Sequence, residues 1–149
     1  MKKNYLDKFN LNNKKAYVIG GSGLLGKEIV QQLLESSVKV INLDLENKRA
    51  NINKKKYSKN YYYHKFDVSD VDNLDSNIEL LIKKFSCPDI FINCSYPVSS
   101  QWNLSSFKKN RISNLRKNVD MHQNSYCWSA YKICQKMKEK KILGSIILL

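Results

Sequence analysis

The hydrophobic and polar positions of this chain switch between two periods. "AYVI" (Ala16 to Ile19) is a short continuous apolar run stopped by glycines, the pattern of a buried strand. "LLGKEIVQQLLESS" then takes helical spacing, with Leu24, Leu25, Ile29, Leu33 and Leu34 on one predicted face. "VKVINLDL" returns to a strand pattern through Val38, Val40, Ile41 and Leu43, and residues 46–58 are polar and predict no element. "YYYHKFDV" reads as a third strand. "SDVDNLDSNIELLIKKF" reads as a helix with Ser69 and Asp70 as candidate N-caps and a stripe of Val71, Leu74, Ile78, Leu81, Ile82 and Phe85. "CPDIFINCS" is a fourth strand opened by Pro88, "SYPVSSQWNLS" a loop, 112–140 one long helix, and "SIILL" a fifth strand. The order β-α-β-(α)-β-α-β-α-β predicts an α/β protein. Its sheet is parallel and doubly wound, with right-handed crossovers and helices on both faces. The chain shows no internal repeat and no linker, so residues 1–149 read as one domain.

Composition narrows the class. With 42% hydrophobic and 26% charged residues, the chain has the balance of a soluble globular protein. No apolar run approaches the roughly 20 residues of a bilayer span, and the basic N-terminus lacks the apolar region of a secretory signal. Cys87, Cys94, Cys127 and Cys134 form no CxxC pair, and with two histidines they offer no metal-site spacing. A reduced, cytoplasmic setting is expected. Cys127 and Cys134 share a helix face with Tyr131, which points to packing rather than reactivity. The net charge of +13 comes mostly from lysines spread along the chain, as a solvated surface would have them. One run differs. In "NKKKYSKNYYYHK" (53–65) basic and aromatic residues interleave as in single-strand nucleic-acid binders, which defines the alternative function class.

The strongest chemical signal is "VIGGSGLLG" (Val18 to Gly26), between a strand and a helix. Two glycine registers overlap: Gly21, Gly23 and Gly26 spell G-x-G-x-x-G, and Gly20, Gly23 and Gly26 spell G-x-x-G-x-x-G. Glycines at these places allow a tight turn and close approach of backbone to a pyrophosphate. The helix that begins near Leu24 and Leu25 would aim its free N–H groups at that phosphate, with Ser22 inside the turn. The second strand ends in Asp44, followed by Leu45, about 20 residues beyond the glycines. A carboxylate there accepts hydrogen bonds from the adenosine ribose and repels a 2′-phosphate. NAD is therefore expected over NADP, although Lys48 and Arg49 lie close enough to soften the preference.

With these motifs in place the chain resembles the short-chain dehydrogenases/reductases over its whole length. The Gly20 to Gly26 turn matches the family's glycine motif, with Ile19 where many members have threonine. "FDVSD" resembles the family segment after the third strand, which implies that Asp67 bonds the adenine amino group and Val68 flanks the ring. "INCSYP" resembles the family's N-N-A-G segment. Asn93 keeps its first position, while Cys94, Ser95 and Tyr96 replace the rest. Asn118 falls where the family has a helix asparagine that holds a proton-relaying water, so it is the one catalytic candidate. "NVDMHQNSYCWSAYKICQKMKEKKILGSIILL" is similar to a subgroup of bacterial reductases tied to flagellin modification and sialic-acid-like sugars. That similarity implies a sugar or nucleotide-sugar substrate. His122 and Trp102 are further candidates for substrate contact.

In the resembling family the fifth strand delivers a catalytic serine, and a Tyr-x-x-x-Lys pair lies on the next helix. The resemblance therefore implies a Rossmann-type sheet truncated after the fifth strand. The sequence would then be the N-terminal, cofactor-binding part of a longer NAD(P)-dependent oxidoreductase, and inactive by itself. Tyr61 and Lys65 have the right spacing but sit on a predicted strand, where that spacing does not place them around one helix turn. The long helix is apolar on more than one side, through Val119, Tyr126, Ile133 and Met137 and through Trp128 and Tyr131. With the resemblance, this implies a homodimer or homotetramer of the full-length protein.

Overall fold

The computed structural model of the chain describes residues 10–47, 56–97 and 111–149. Strand β1 (Lys15–Ile19) leads through the glycine turn into α1 (Leu24–Glu35) and β2 (Lys39–Asp44). Then follow β3 (Tyr61–Lys65), α2 (Leu74–Phe85), β4 (Ile90–Asn93), α3 (Ile112–Val119), α4 (Ser125–Glu139) and β5 (Ser145–Leu148). Every pairing is parallel and the sheet order is β3-β2-β1-β4-β5. The chain winds outward from β1 to β3, then returns past β1 to β4 and β5. This is the predicted doubly wound sheet, and the reversal opens a crevice at the carboxyl ends of β1 and β4.

Alternation along the strands divides the core in two. On one face Ala16, Val18 and Val40 meet Val30, Leu33 and Leu34 of α1. On the other, Tyr17, Ile19, Ile41, Leu43 and Phe91 meet Leu74, Ile78 and Leu81 of α2 and Ile133 and Met137 of α4. Tyr17 is fully buried, and its hydroxyl reaches the carbonyls of Ser86 (2.7 Å) and Leu81 (3.0 Å) at the end of α2. Burial pushes that phenol well above its ordinary pKa, so it remains a neutral donor.

Several local expectations change. Leu24 and Leu25 do not join the buried face of α1; they are 76% and 61% exposed, and Gly26, Val30, Leu33 and Leu34 form that face instead. Ser69 and Asp70 do not cap α2. A 3-10 turn (Val71–Asn73) intervenes, and the Asp70 carboxylate accepts from the Asn73 side-chain amide at 3.0 and 3.1 Å. The single helix expected over 112–140 is interrupted by a π-helical turn at Asp120–Asn124. Fully buried Ser125 donates its hydroxyl to the Met121 carbonyl inside that widened turn, at 2.6 Å. The wider turn rotates the helix face, so Val119 is exposed rather than aligned with buried Ile133 and Met137. Cys127, Cys134 and Tyr131 do share a face, but it is exposed.

Candidate dinucleotide site

The crevice at the carboxyl ends of β1, β2 and β4 holds a cleft of about 520 Å³, within the usual range of ligand sites. Gly20, Gly23, Leu24 and Leu25 form one wall, and Asp44 and Leu45 stand at the end of β2. Asp67 and Val68 close the adenine side expected from the resemblance, and Cys94 and Ser95 close the other. Gly20 has φ of +77°, and a Cβ there would lie 2.7 Å from the Cα of Ser95. A Cβ on Gly26 would lie 2.0 Å from the Gly20 carbonyl oxygen, so α1 can approach the turn only with glycine at that position. Gly23 caps α1 without a side-chain hydrogen bond, so no capping side chain occupies the helix N-terminus, where an anion site would draw on the first N–H groups.

The acidic residues are placed differently. One oxygen of Asp44 accepts from the backbone N–H of Ser22 at 2.8 Å, and the other from that of Leu45 at 2.8 Å. The glycine turn itself therefore orients the carboxylate. Asp67 is exposed and uses one oxygen to accept from the N–H (2.9 Å) and hydroxyl (2.6 Å) of Ser69. Cys94 donates its thiol to the Ile19 carbonyl at 3.1 Å. Burial, and then the Asp44 charge, push that thiol up to about 11, so it is neutral packing and not a nucleophile.

Some predicted site residues stand behind the cleft rather than on it. Ser22 is buried, with its N–H on Asp44 and its hydroxyl accepting from Asn42 at 3.0 Å. Gly21 packs on the Asn42 side chain, where a Cβ would lie 2.4 Å from Oδ1. Asn93 is fully buried; its Oδ1 accepts from the N–H (3.1 Å) and hydroxyl (2.7 Å) of Ser95, and its Nδ2 has no partner. Asn118 lines an adjoining groove with His122, Tyr126 and Leu149, and Tyr96 borders both groove and cleft. The Tyr126 hydroxyl lies against the carbonyl of Ser95 and that of Leu149, the latter at 3.0 Å. His122 stacks on Tyr96 with ring centroids 4.3 Å apart. Trp102, Lys48 and Arg49 lie outside the described residues.

The pattern missed two groups. Asn42 is a polar position inside an apolar strand run, and that was the available signal. Tyr61 and Tyr63 stand out in the sequence as part of a basic, aromatic stretch, and Tyr61 also for its spacing to Lys65, but neither reading points to Asp44. Their hydroxyls are engaged within the protein, Tyr61 with Asn42 and Asn47 and Tyr63 with the Asp44 carbonyl.

A glycine turn, a carboxylate at the end of β2 and a doubly wound parallel sheet thus occupy one crevice. A family model for short chain dehydrogenase matches residues 14–149. The chain belongs to the short-chain dehydrogenase family. The family comprises oxidoreductases that bind NAD(P), and the residues around the cleft fit such a dinucleotide. The chain is 24% identical over 141 residues to the post-translational flagellin modification protein A of Campylobacter coli, covering 92% of this chain and 55% of that protein. It superposes with a TM-score of 0.77 on a short-chain dehydrogenase from Leptospira borgpetersenii crystallised with NAD+ (24% identity, 99% of this chain and 54% of the other). A sorbitol-6-phosphate 2-dehydrogenase from Erwinia amylovora gives a TM-score of 0.72 at 21% identity, covering 89% and 52%. The chain therefore spans about half the length of the relatives it matches. Among the described residues no helix is long and apolar enough to cross a membrane, and no cluster offers a metal site.

Proposed function

We propose that this chain is the cofactor-binding part of an NAD-dependent short-chain oxidoreductase that acts on a hydroxyl or ketone of a sugar or nucleotide sugar. The observation that carries the cofactor assignment is Asp44. Its carboxylate is held at the end of β2 by two backbone N–H groups, and its remaining lone pairs are available to ribose hydroxyls. A 2′-phosphate at that point would meet a fixed negative charge. When bound, the nicotinamide supplies or accepts a hydride. The chain's own residues do the rest. The glycine turn and the start of α1 hold the pyrophosphate, Asp67 and Val68 hold the adenine, and Cys94 and Ser95, braced by Asn93, form the floor. Asn118, on the adjoining groove, is assigned the water-holding role that the resemblance implies. The sugar reading is supported by the flagellin-modifying relative and the sorbitol-phosphate neighbour. A cytoplasmic homo-oligomer is proposed for the full-length protein.

Calorimetric titration with NADH and NADPH tests the reading. NADH is expected to bind more tightly, and Asp44→Ala is expected to weaken NADH and abolish the preference. Equal or tighter binding of NADPH by the unaltered protein would overturn it.

A further inference from the structure

Behind the cleft lies a chain of hydrogen bonds that neither the glycine motif nor the family assignment accounts for. Strand alternation puts Tyr61 and Tyr63 on the same face of the sheet as Val40 and Asn42, with Val40 paired to Tyr61 and Asn42 to Tyr63. Asn42 is fully buried, and its two amide hydrogens go to the hydroxyls of Ser22 and Tyr61, each at 3.0 Å. The Tyr61 hydroxyl passes its own proton to Oδ1 of Asn47 at 3.0 Å. Ser22 donates its N–H to the Asp44 carboxylate at 2.8 Å, while the Tyr63 hydroxyl donates to the Asp44 carbonyl at 3.1 Å. The route Asn47–Tyr61–Asn42–Ser22–Asp44 is continuous, and Tyr63 closes it from the other side.

We propose that Tyr61 and Tyr63 are positioning residues for cofactor choice: through Asn42 and Ser22, and through the Asp44 carbonyl, they fix the Asp44 carboxylate and the segment after it in the geometry that selects an unphosphorylated ribose. This rests on the reading of Asp44 given above. The geometry makes the arrangement exacting. Asn42 lies so close to Gly21 that no Cβ fits between them. Its amide therefore has little room to find another partner once the Tyr61 hydroxyl is gone. A buried donor left without a partner is costly, and because the amide is crowded the displacement passes to Ser22, which holds its other hydrogen. The edge strand's aromatic run then has a use in binding beyond closing the sheet.

Fluorescence titration of the chain with NADH and NADPH, for Tyr61→Phe and Tyr63→Phe, tests the proposal. Phenylalanine keeps the ring and removes only the hydroxyl. Each variant is expected to bind NADH about three- to tenfold more weakly, the value of one hydrogen bond, with a smaller change for NADPH, so that the NADH/NADPH ratio contracts. A structural role alone would lower the melting temperature and leave the ratio untouched, and an unchanged ratio in both variants would overturn the proposal. If Tyr61→Phe does not fold, Asn47→Ala removes the acceptor of the Tyr61 proton and is held to the same ratio. Asp44→Ala separates the two layers. If it leaves the ratio unchanged, both readings fall; if it removes the preference while the tyrosine variants do not, only the positioning proposal falls.

Discussion

At the scale of single residues, a Cβ on Gly26 would sit 2.0 Å from the Gly20 carbonyl oxygen, which no rotamer change relieves. Gly26→Ala is expected to cost about 1–3 kcal/mol in urea unfolding and to abolish detectable dinucleotide binding. Gly20, Gly23, Gly26 and Asp44 are legible in the sequence because their separations are set by one strand–turn–helix unit. Asn42 with Tyr61 is not, because a bond between neighbouring strands depends on a register that no local pattern contains. The two histidines give a pH dependence. His64 has its pKa lowered by burial and then by Lys84, and His122 has its pKa lowered by burial against a partly opposing Pro97 carbonyl. A histidine depressed in the folded state takes up its proton first in the unfolded chain. The stability it contributes is complete above its ordinary value of 6.5 and is lost as pH falls through the depressed native value. Melting temperature is therefore expected to drop between pH 7 and pH 5. A double His64→Gln, His122→Gln variant should flatten that part of the profile; an unchanged slope would remove both histidines from the account.

At the scale of elements, α4 and the inward facing of its Ile133 and Met137 were legible, but the rotation of α3 relative to it was not. Apolar spacing assumes 3.6 residues per turn, and the π turn at Asp120–Asn124 breaks that count between α3 and α4. What then fixes α4 is a polar edge shared with α2. Trp128 donates its indole N–H to Asp75 at 2.6 Å, Lys132 pairs with the same carboxylate at 3.1 Å, and Lys136 reaches Glu79 at 2.6 Å. Residues 128, 132 and 136 are spaced four apart, as are 75 and 79, so the two helices present matching rows. Asp75 serves two donors at once, and Asp75→Ala leaves both without their partner. A loss of about 0.5–1 kcal/mol is expected, read as a lower urea midpoint with unchanged m-value. The Lys132 component should shrink in high salt, and the Trp128 bond should persist. If Asp75→Ala has the same midpoint as the unaltered protein, the docking of α4 rests on Ile133, Met137 and the Lys136–Glu79 pair without help from Asp75.

At the scale of the whole molecule, the alternation of strand and helix was enough to predict a parallel, doubly wound sheet, because crossover handedness leaves few other arrangements. What it could not supply was the outer surface. Ile112, Leu115 and Val119 form an apolar row on α3 and are 64%, 49% and 45% exposed, with Trp128 and Tyr131 exposed on α4. Burying such a row against a second copy is the expected use, so light scattering of the protein should give a dimer or tetramer, and Leu115→Glu should shift it toward monomer. Catalysis is the remaining question. The cleft is assembled from β1, α1, β2 and β4, so residues 1–149 are expected to bind NADH. Turnover asks for more. The groove beside the cleft carries Asn118, His122 and Tyr126, and among its lining residues there is no lysine. Burial raises the Tyr126 phenol above its ordinary pKa, and its hydroxyl donates to the Ser95 carbonyl, which makes it a poor proton donor to a substrate. His122 is stacked on Tyr96, and burial lowers its pKa, so it too is a weak candidate for protonating a substrate. A positioned acid–base group is worth about 10²–10⁴-fold, and among the described lining residues none is set up for that role. Residues 1–149 assayed by themselves with sugar ketones are therefore expected to oxidise no NADH above background. Joining residues 1–149 to the C-terminal half of a family relative should give turnover that Asn118→Ala then lowers. Robust, Asn118-dependent oxidation by residues 1–149 alone would place the acid–base chemistry within this groove and overturn the division of labour proposed here.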